Sequence, residues 1–181
     1  MKKSKRFIFV VALFCLAACQ MNCFALFNNL IKNPGFESFD EDTMLPAGWY
    51  CSSPSKEEQG GVSIDKDVKC KGEASLRIIQ KQRNSYNYVL QSISVKKDTK
   101  YKLTVDAMVA DIKMDGQGPQ IVLTDSNTGN VFASKQISSK DWKEVELIFN
   151  TGSKERINIM CYLHKSSGTV WFDNLHLSEV K

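Results

Sequence analysis

Strict alternation of apolar and polar residues runs through much of this chain. Tyr101, Leu103, Val105, Ala107 and Val109 share one parity, with Lys102, Thr104, Asp106 and Met108 on the other. Ile157, Ile159, Cys161 and Leu163 alternate in the same way with Asn158, Met160, Tyr162 and His164, as do Val145, Leu147 and Phe149 with their neighbours. A period of two sends successive side chains to opposite faces of a pleated strand, so each segment buries one side and leaves the other available. From residue 28 onward no apolar pattern of helical period lasts more than a turn or two. Turn chemistry separates the runs at Lys97-Asp98, Gly116 to Pro119, Ser126 to Asn130, Asn150 to Ser153 and Ser166 to Gly168. The pattern predicts about ten strands in an all-β antiparallel sandwich. The polar stretch from Cys51 to Lys71 reads as a long surface connection with a short strand near Val62 to Ile64.

Charge narrows the function. The chain of 181 residues carries a formal +4, but Lys2, Lys3, Lys5 and Arg6 precede every acid. Without them 20 basic residues face 20 acidic ones. A nucleic-acid binder draws its affinity from surplus Lys and Arg, so that class of partner is not expected. The basic start is followed by the apolar run Phe7 to Ala18, shorter than the roughly 20 residues of a membrane-spanning helix, and together they read as an export signal spanning residues 1–25. Two cleavage points compete. Leu16-Ala17-Ala18-Cys19 has the form of a bacterial lipobox, with Cys19 as the lipidated residue; Cys23-Phe24-Ala25 would release a soluble chain from Leu26. The expectation is an exported cell-envelope protein, held to the membrane through a lipid anchor, or else soluble in the periplasm or outside the cell. Residues 26–181 then form a single domain.

Disulfides are permitted in that compartment. Cys161 alternates with buried-type residues and reads as a small core hydrophobe, while Cys51 and Cys70 flank a polar segment and could pair or remain separate.

Catalysis finds little support. Only two histidines occur, His164 and His176, with no nucleophile elbow, phosphate loop or zinc-ligand spacing. The clusters Asp40-Glu41-Asp42, Glu57-Glu58 and Asp65/Asp67 fall in polar, turn-rich stretches that suit solvated carboxylates better than a glycosidase pair. The lysines at 96, 97, 100 and 102 bracket a turn and read as solvated surface, with contact to acidic glycans as the functional alternative. A sugar binder needs aromatic rings for the C–H face of a pyranose and amide or guanidinium groups for its hydroxyl rim. The outward parity of two strands offers Asn158, Tyr162 and His164, and Gln120 with Thr124.

Three segments carry a resemblance. Asn29 to Glu37, Asn-Leu-Ile-Lys-Asn-Pro-Gly-Phe-Glu, is followed by Gly48-Trp49; Ala74 to Ile78, Gln91 to Val95 and Tyr101 to Leu103 come in the middle; Trp142 to Val145, Phe149 and Val170 to Leu175 close the chain. Over about residues 28 to 178 the chain resembles carbohydrate-binding modules of families four, nine and twenty-two. The resemblance implies a galactose-binding-like jelly roll that binds polysaccharide or glycan chains without catalysis. It also implies a structural calcium held by Glu37 and Asp173, for which the alternative is a turn cap and a backbone acceptor with no ion. Tyr88 and Gln91 lie where family members place ligand contacts, with Tyr50 and Arg77 on nearby strands. By alternation with Val89 and Ile93, however, Gln91 falls on the core side, where it would satisfy buried backbone. Trp49, Trp142 and Trp171 read as packing residues. Such modules usually accompany a glycoside hydrolase, here expected as a separate protein; the alternative is a structural or protein-interaction domain of the envelope.

Overall fold

The computed structural model describes residues 29–52, 60–83 and 85–180. The expected signal segment, including Cys19, lies outside them. Among the described residues there is no helix, and ten strands follow one another: β1 (Phe39–Asp40), β2 (Leu45–Pro46), β3 (Tyr50–Cys51), β4 (Gly60–Asp65), β5 (Ser75–Gln80), β6 (Tyr86–Ser94), β7 (Lys100–Asp125), β8 (Val131–Gln136), β9 (Lys143–Asn150) and β10 (Arg156–Glu179).

Two of these strands are long enough to serve in both layers of a sandwich. The first half of β7 pairs with β9 and with residues 169–179 of β10, while its second half pairs with β8 and with residues 157–164 of β10. β10 continues the arrangement by pairing with β6 through residues 156–164 and with β5 through residues 168–172. A front sheet therefore runs β8-β7-β10-β6-β3, and a back sheet β9-β7-β10-β5-β4. This is the antiparallel sandwich expected from the alternation, in the jelly-roll form that the family resemblance implies.

The corners differ from expectation. Gly116 to Pro119 and Ser166 to Gly168 read as turns that end strands, yet in the fold they bend strands that continue. Asp111 and Lys165 adopt left-handed φ values of 55° and 43°, and the β10 register shifts between His164 and Ser166 and again between Ser167 and Thr169. Such irregularities let one strand change sheets. Gly168 is required there: at its φ of 126° a Cβ would lie 2.8 Å from the Asp111 carbonyl oxygen.

The core follows from parity. Ile157, Ile159, Cys161 and Leu163 from β10, Ile121 and Leu123 from β7, and Val89 from β6 are fully buried beneath the front sheet; Leu76, Ile78, Val105, Ala107, Val170 and Phe172 meet them from the back. Each large side chain removed from water contributes about 1.5–3 kcal/mol, which makes this the principal stabilising term.

The opening motif acts as a clasp. Asn29 donates through Nδ2 to the Leu175 carbonyl and accepts the Leu177 N–H at Oδ1, fixing the start of the described chain to the last strand. Asn33, at φ 49°, accepts the Ser38 N–H and donates to the Ser38 and Ala47 carbonyls. Trp49 donates its indole N–H to the Asn33 carbonyl and packs 5.3 Å from Phe36, so it is a core residue as expected.

The cysteines are separate. Cys51 sits on β3 opposite Val89, at the front-sheet edge, whereas the Cys70 N–H donates to Asp173 beside the back sheet. Both are free thiols, so the bridge considered from sequence is not formed. Cys161 is a fully buried thiol. The short strand expected near Val62 to Ile64 is longer than expected: β4 covers Gly60–Asp65 and is buried throughout, as the far edge of the back sheet.

Candidate functional site: an aromatic sheet face

The outward parity of the front sheet gathers four tyrosines. Tyr162 on β10 lies opposite Tyr88 on β6 on one side and Gln120 on β7 on the other. The Tyr88 ring meets Tyr162 edge-on at 5.8 Å, Tyr86 in a stack at 6.3 Å and Tyr50 at 6.2 Å, and Tyr162 stacks on the His164 imidazole at 5.2 Å. Cross-strand aromatic pairs of this kind hold one another in place. Tyr50 and Tyr86 remain about 60% exposed, so rings are offered to solvent instead of being spent on the core. The four phenol oxygens have no hydrogen-bond partner among the described residues.

Amides border the rings. Asn158, opposite Ser92 and Thr124, accepts the Ser92 hydroxyl at 2.6 Å and donates to the Thr124 hydroxyl at 3.1 Å, which fixes its orientation. Gln120 donates to the Gln117 side-chain oxygen, which also contacts His164 Nδ1. Partial burial, then neighbouring tyrosines, raises the Tyr88 and Tyr162 pKa values, so these two phenols keep their protons. Burial, assisted by Lys165, lowers that of His164 and favours its neutral form. Among the described residues this face carries no Asp or Glu.

Of the expected ligand-binding residues, Tyr50, Tyr88, Gln120, Asn158 and Tyr162 are thus brought onto one face. Two are not. Gln91 points inward: its Oε1 accepts the Lys32 N–H at 2.8 Å, and its Nε2 donates to the Lys32 and Gly48 carbonyls. Buried amides satisfy stranded backbone, as the alternation had implied. Arg77 belongs to the opposite side of the sandwich, on the outer face of the back sheet, where it bonds Ser63 and Asp65. Proximity in sequence gave no warning that β5 and β6 belong to different sheets. Tyr86 was passed over in the sequence although it shares the parity of Tyr88 and Leu90, a signal that was there to be read. Gln117, inside an expected turn, had no such signal.

The expected calcium ligands do meet. Asp173 and Glu37 carboxylates both approach Gly35, and a Cβ on Gly72 would collide with Glu37 Oε1. Asp173 accepts the N–H groups of Cys70, Lys71 and Asn174, and Glu37 accepts that of Glu73. Burial raises the Asp173 pKa despite these bonds, and the Glu37 charge adds to the rise. Two adjoining carboxylates with one of them buried form a charge pattern that a hard cation relieves. Among the described residues no cluster of three or more His, Cys, Asp or Glu could hold a metal, so any further oxygen donors would be neutral ones.

A family model described as a carbohydrate binding domain of the CBM 4/9 type matches residues 28–168. The chain belongs to that carbohydrate-binding family. Solved structures share the fold of this carbohydrate-binding domain at low identity. One titled a CBM4 module superposes with a TM-score of 0.59 at 13% identity, covering 83% of this chain and 99% of that one. A CBM61 module solved with β-1,4-galactotriose gives 0.56 at 19%, covering 84% and 99%. The enzymatically active domain of tailspike protein 4 from bacteriophage CBA120 gives 0.59 at 13%; 84% of this chain is covered, but it spans only 21% of the tailspike. No curated protein matches the sequence.

Proposed function

We propose that the outer face of the front sheet is the glycan-binding surface of this carbohydrate-binding domain, and that it binds without cleaving. The observation that carries this reading is the chain of touching rings from Tyr50 through Tyr88 and Tyr162 to His164, with unpartnered phenol hydroxyls and the amides of Gln120 and Asn158 beside it. Rings supply the stacking platform for pyranose C–H faces, and the hydroxyls and amides meet the rim. Hydrolysis would need two carboxylates flanking the bound sugar, and the described part of this face has none. The test is affinity electrophoresis across a panel of soluble polysaccharides. Retardation by at least one, weakened about tenfold in Tyr162→Ala with the fold unchanged by circular dichroism, is the expected result. Free migration on every polymer would instead favour a structural or protein-interaction domain of the envelope.

A calcium ion between Glu37 and Asp173 would tie the opening motif to β10, away from the tyrosine face, and its role would be structural. Calcium should raise the melting temperature and chelation should lower it with sugar retention kept; a Glu37→Gln/Asp173→Asn variant should show neither shift. Export to the cell envelope with lipid at Cys19 is likewise part of this proposal, as is one domain over residues 26–181 and a separate glycoside hydrolase as partner. Mass spectrometry of the mature N-terminus decides the anchor: a free Leu26 would refute it.

A further inference from the structure

The tyrosine face continues past Tyr50 into a groove of about 660 Å³ whose walls include Tyr50, Leu90, Ser92, Ser94, Lys32 and Arg156. Arg156 is opposite Ser94 on β6 and shares the outward parity of Asn158 and Tyr162, so the groove and the rings lie on one sheet face. Arg156 and Tyr162 are six positions apart on β10, roughly 20 Å of extended strand, which is room for a chain of sugars.

Neither Lys32 Nζ nor the Arg156 guanidinium has a hydrogen-bond or ion-pair partner among the described residues, although Glu155 adjoins Arg156 in the chain. Glu155 is committed to Lys97 at 3.0 Å and Glu179 to Lys96 at 2.7 Å. Asp125 accepts the N–H groups of Asn127 and Thr128 in its own turn. The lysines that stood out in the sequence are therefore largely neutralised, Lys102 by Glu146 as well, while two cations that did not stand out are left facing a groove. Lys32 is also fixed at its backbone, because the buried Gln91 amide bonds both its N–H and its carbonyl.

We propose that this groove receives an acidic sugar, a uronate residue of a glycan whose neutral units stack on the tyrosines. The planar guanidinium of Arg156 matches a carboxylate in two-pronged geometry and Lys32 adds a second positive charge, on a face with no acid to compete. This rests on the reading of the tyrosine face as the glycan site, and makes Gln91 a positioning residue that holds Lys32 at the rim.

The experiment uses the full chain on an array of matched glycan pairs, each uronate-bearing oligosaccharide beside its carboxyl-reduced neutral counterpart. Preference of about tenfold for the acidic member is expected, with loss of that preference in Lys32→Gln/Arg156→Gln and in about 0.5 M NaCl, where charges are strongly screened. The double variant should keep its binding to the neutral member. Equal binding to both members, or a preference that survives the double substitution, overturns the acidic-sugar assignment while leaving the tyrosine site intact. Binding to neither member of any pair, with Tyr162→Ala indistinguishable from the parent, overturns both.

Discussion

The outer faces of the two sheets are built from similar residues and arranged for opposite ends. On the back sheet Ser63, Arg77, Trp171 and Met108 form a row across β4, β5, β10 and β7. Its polar atoms turn to one another: Trp171 donates to Asp65 at 2.9 Å, Arg77 reaches the same carboxylate at 3.3 Å and the Ser63 hydroxyl at 3.2 Å, and Asp65 also accepts the N–H groups of Asp67 and Val68. On the front sheet the tyrosines meet through their rings, and among the described residues neither their hydroxyls nor Arg156 has a polar side-chain partner. An aromatic, a cation and a polar group can thus make either a closed structural network or an open binding surface. What distinguishes them is whether an acceptor is supplied internally.

That contrast can be broken most sharply at Asp65. Because the carboxylate is buried and serves Trp171, Arg77 and two backbone donors, Asp65→Ala should cost about 2–3 kcal/mol, read as a fall in chemical-denaturation midpoint, with glycan retention unchanged. Lost retention at full stability would mean that the back face binds sugar. Tyr162→Ala should give the reverse: affinity down about tenfold, near the upper end of what one aromatic contact contributes, with a smaller change in stability than Asp65→Ala.

The two faces should also respond to different pH windows. Burial opposes ionisation of Asp65, but the Trp171 hydrogen bond, the backbone donors of Val68 and Asp67 and the Arg77 charge outweigh it, so its folded pKa lies below the usual 3.8. Its contribution is complete above 3.8 and is lost as pH falls through the lower folded value. His164 has a folded pKa below 6.5, so the unfolded chain takes up its proton first. Stability from that source is full above 6.5 and declines as pH falls from there toward the folded value. Melting curves of the parent and His164→Asn should therefore converge in their pH dependence above 6.5 and part below it. The smallest effect is expected at Tyr50→Ala: its ring is at the exposed end of the row and its ring contact is with Tyr88, so a weakening of a few-fold in binding, below that of Tyr162→Ala, is the measurable outcome.

Much of the site was legible because parity is local. Knowing that Ile159 and Cys161 point inward places Asn158 and Tyr162 outward, whatever the rest of the chain does. Parity also placed Gln91 inward, and the fold put it there. The misplacement of Arg77 has a different origin. Its outward parity is correct, but a sandwich has two outward faces, and β5 and β6, adjacent in sequence, pair with different halves of β10. The strand corners were illegible for a related reason. Glycine and proline mark places where a chain can bend, and only the continuing pairing of Met114 with Ser166 and Lys113 with Ser167 shows that β7 and β10 go on instead of ending.

Alternation and turn spacing determined by themselves an all-β sandwich whose core residues are Ile157, Ile159, Leu103 and their like, since burial of one strand face depends on neighbours two residues away. Which outward face stays open, which arginine meets an acid and which thiols approach were decided by tertiary structure alone. Those outcomes depend on pairing between segments as far apart as Arg77 and Trp171, and the period of a single strand carries no information about its partner.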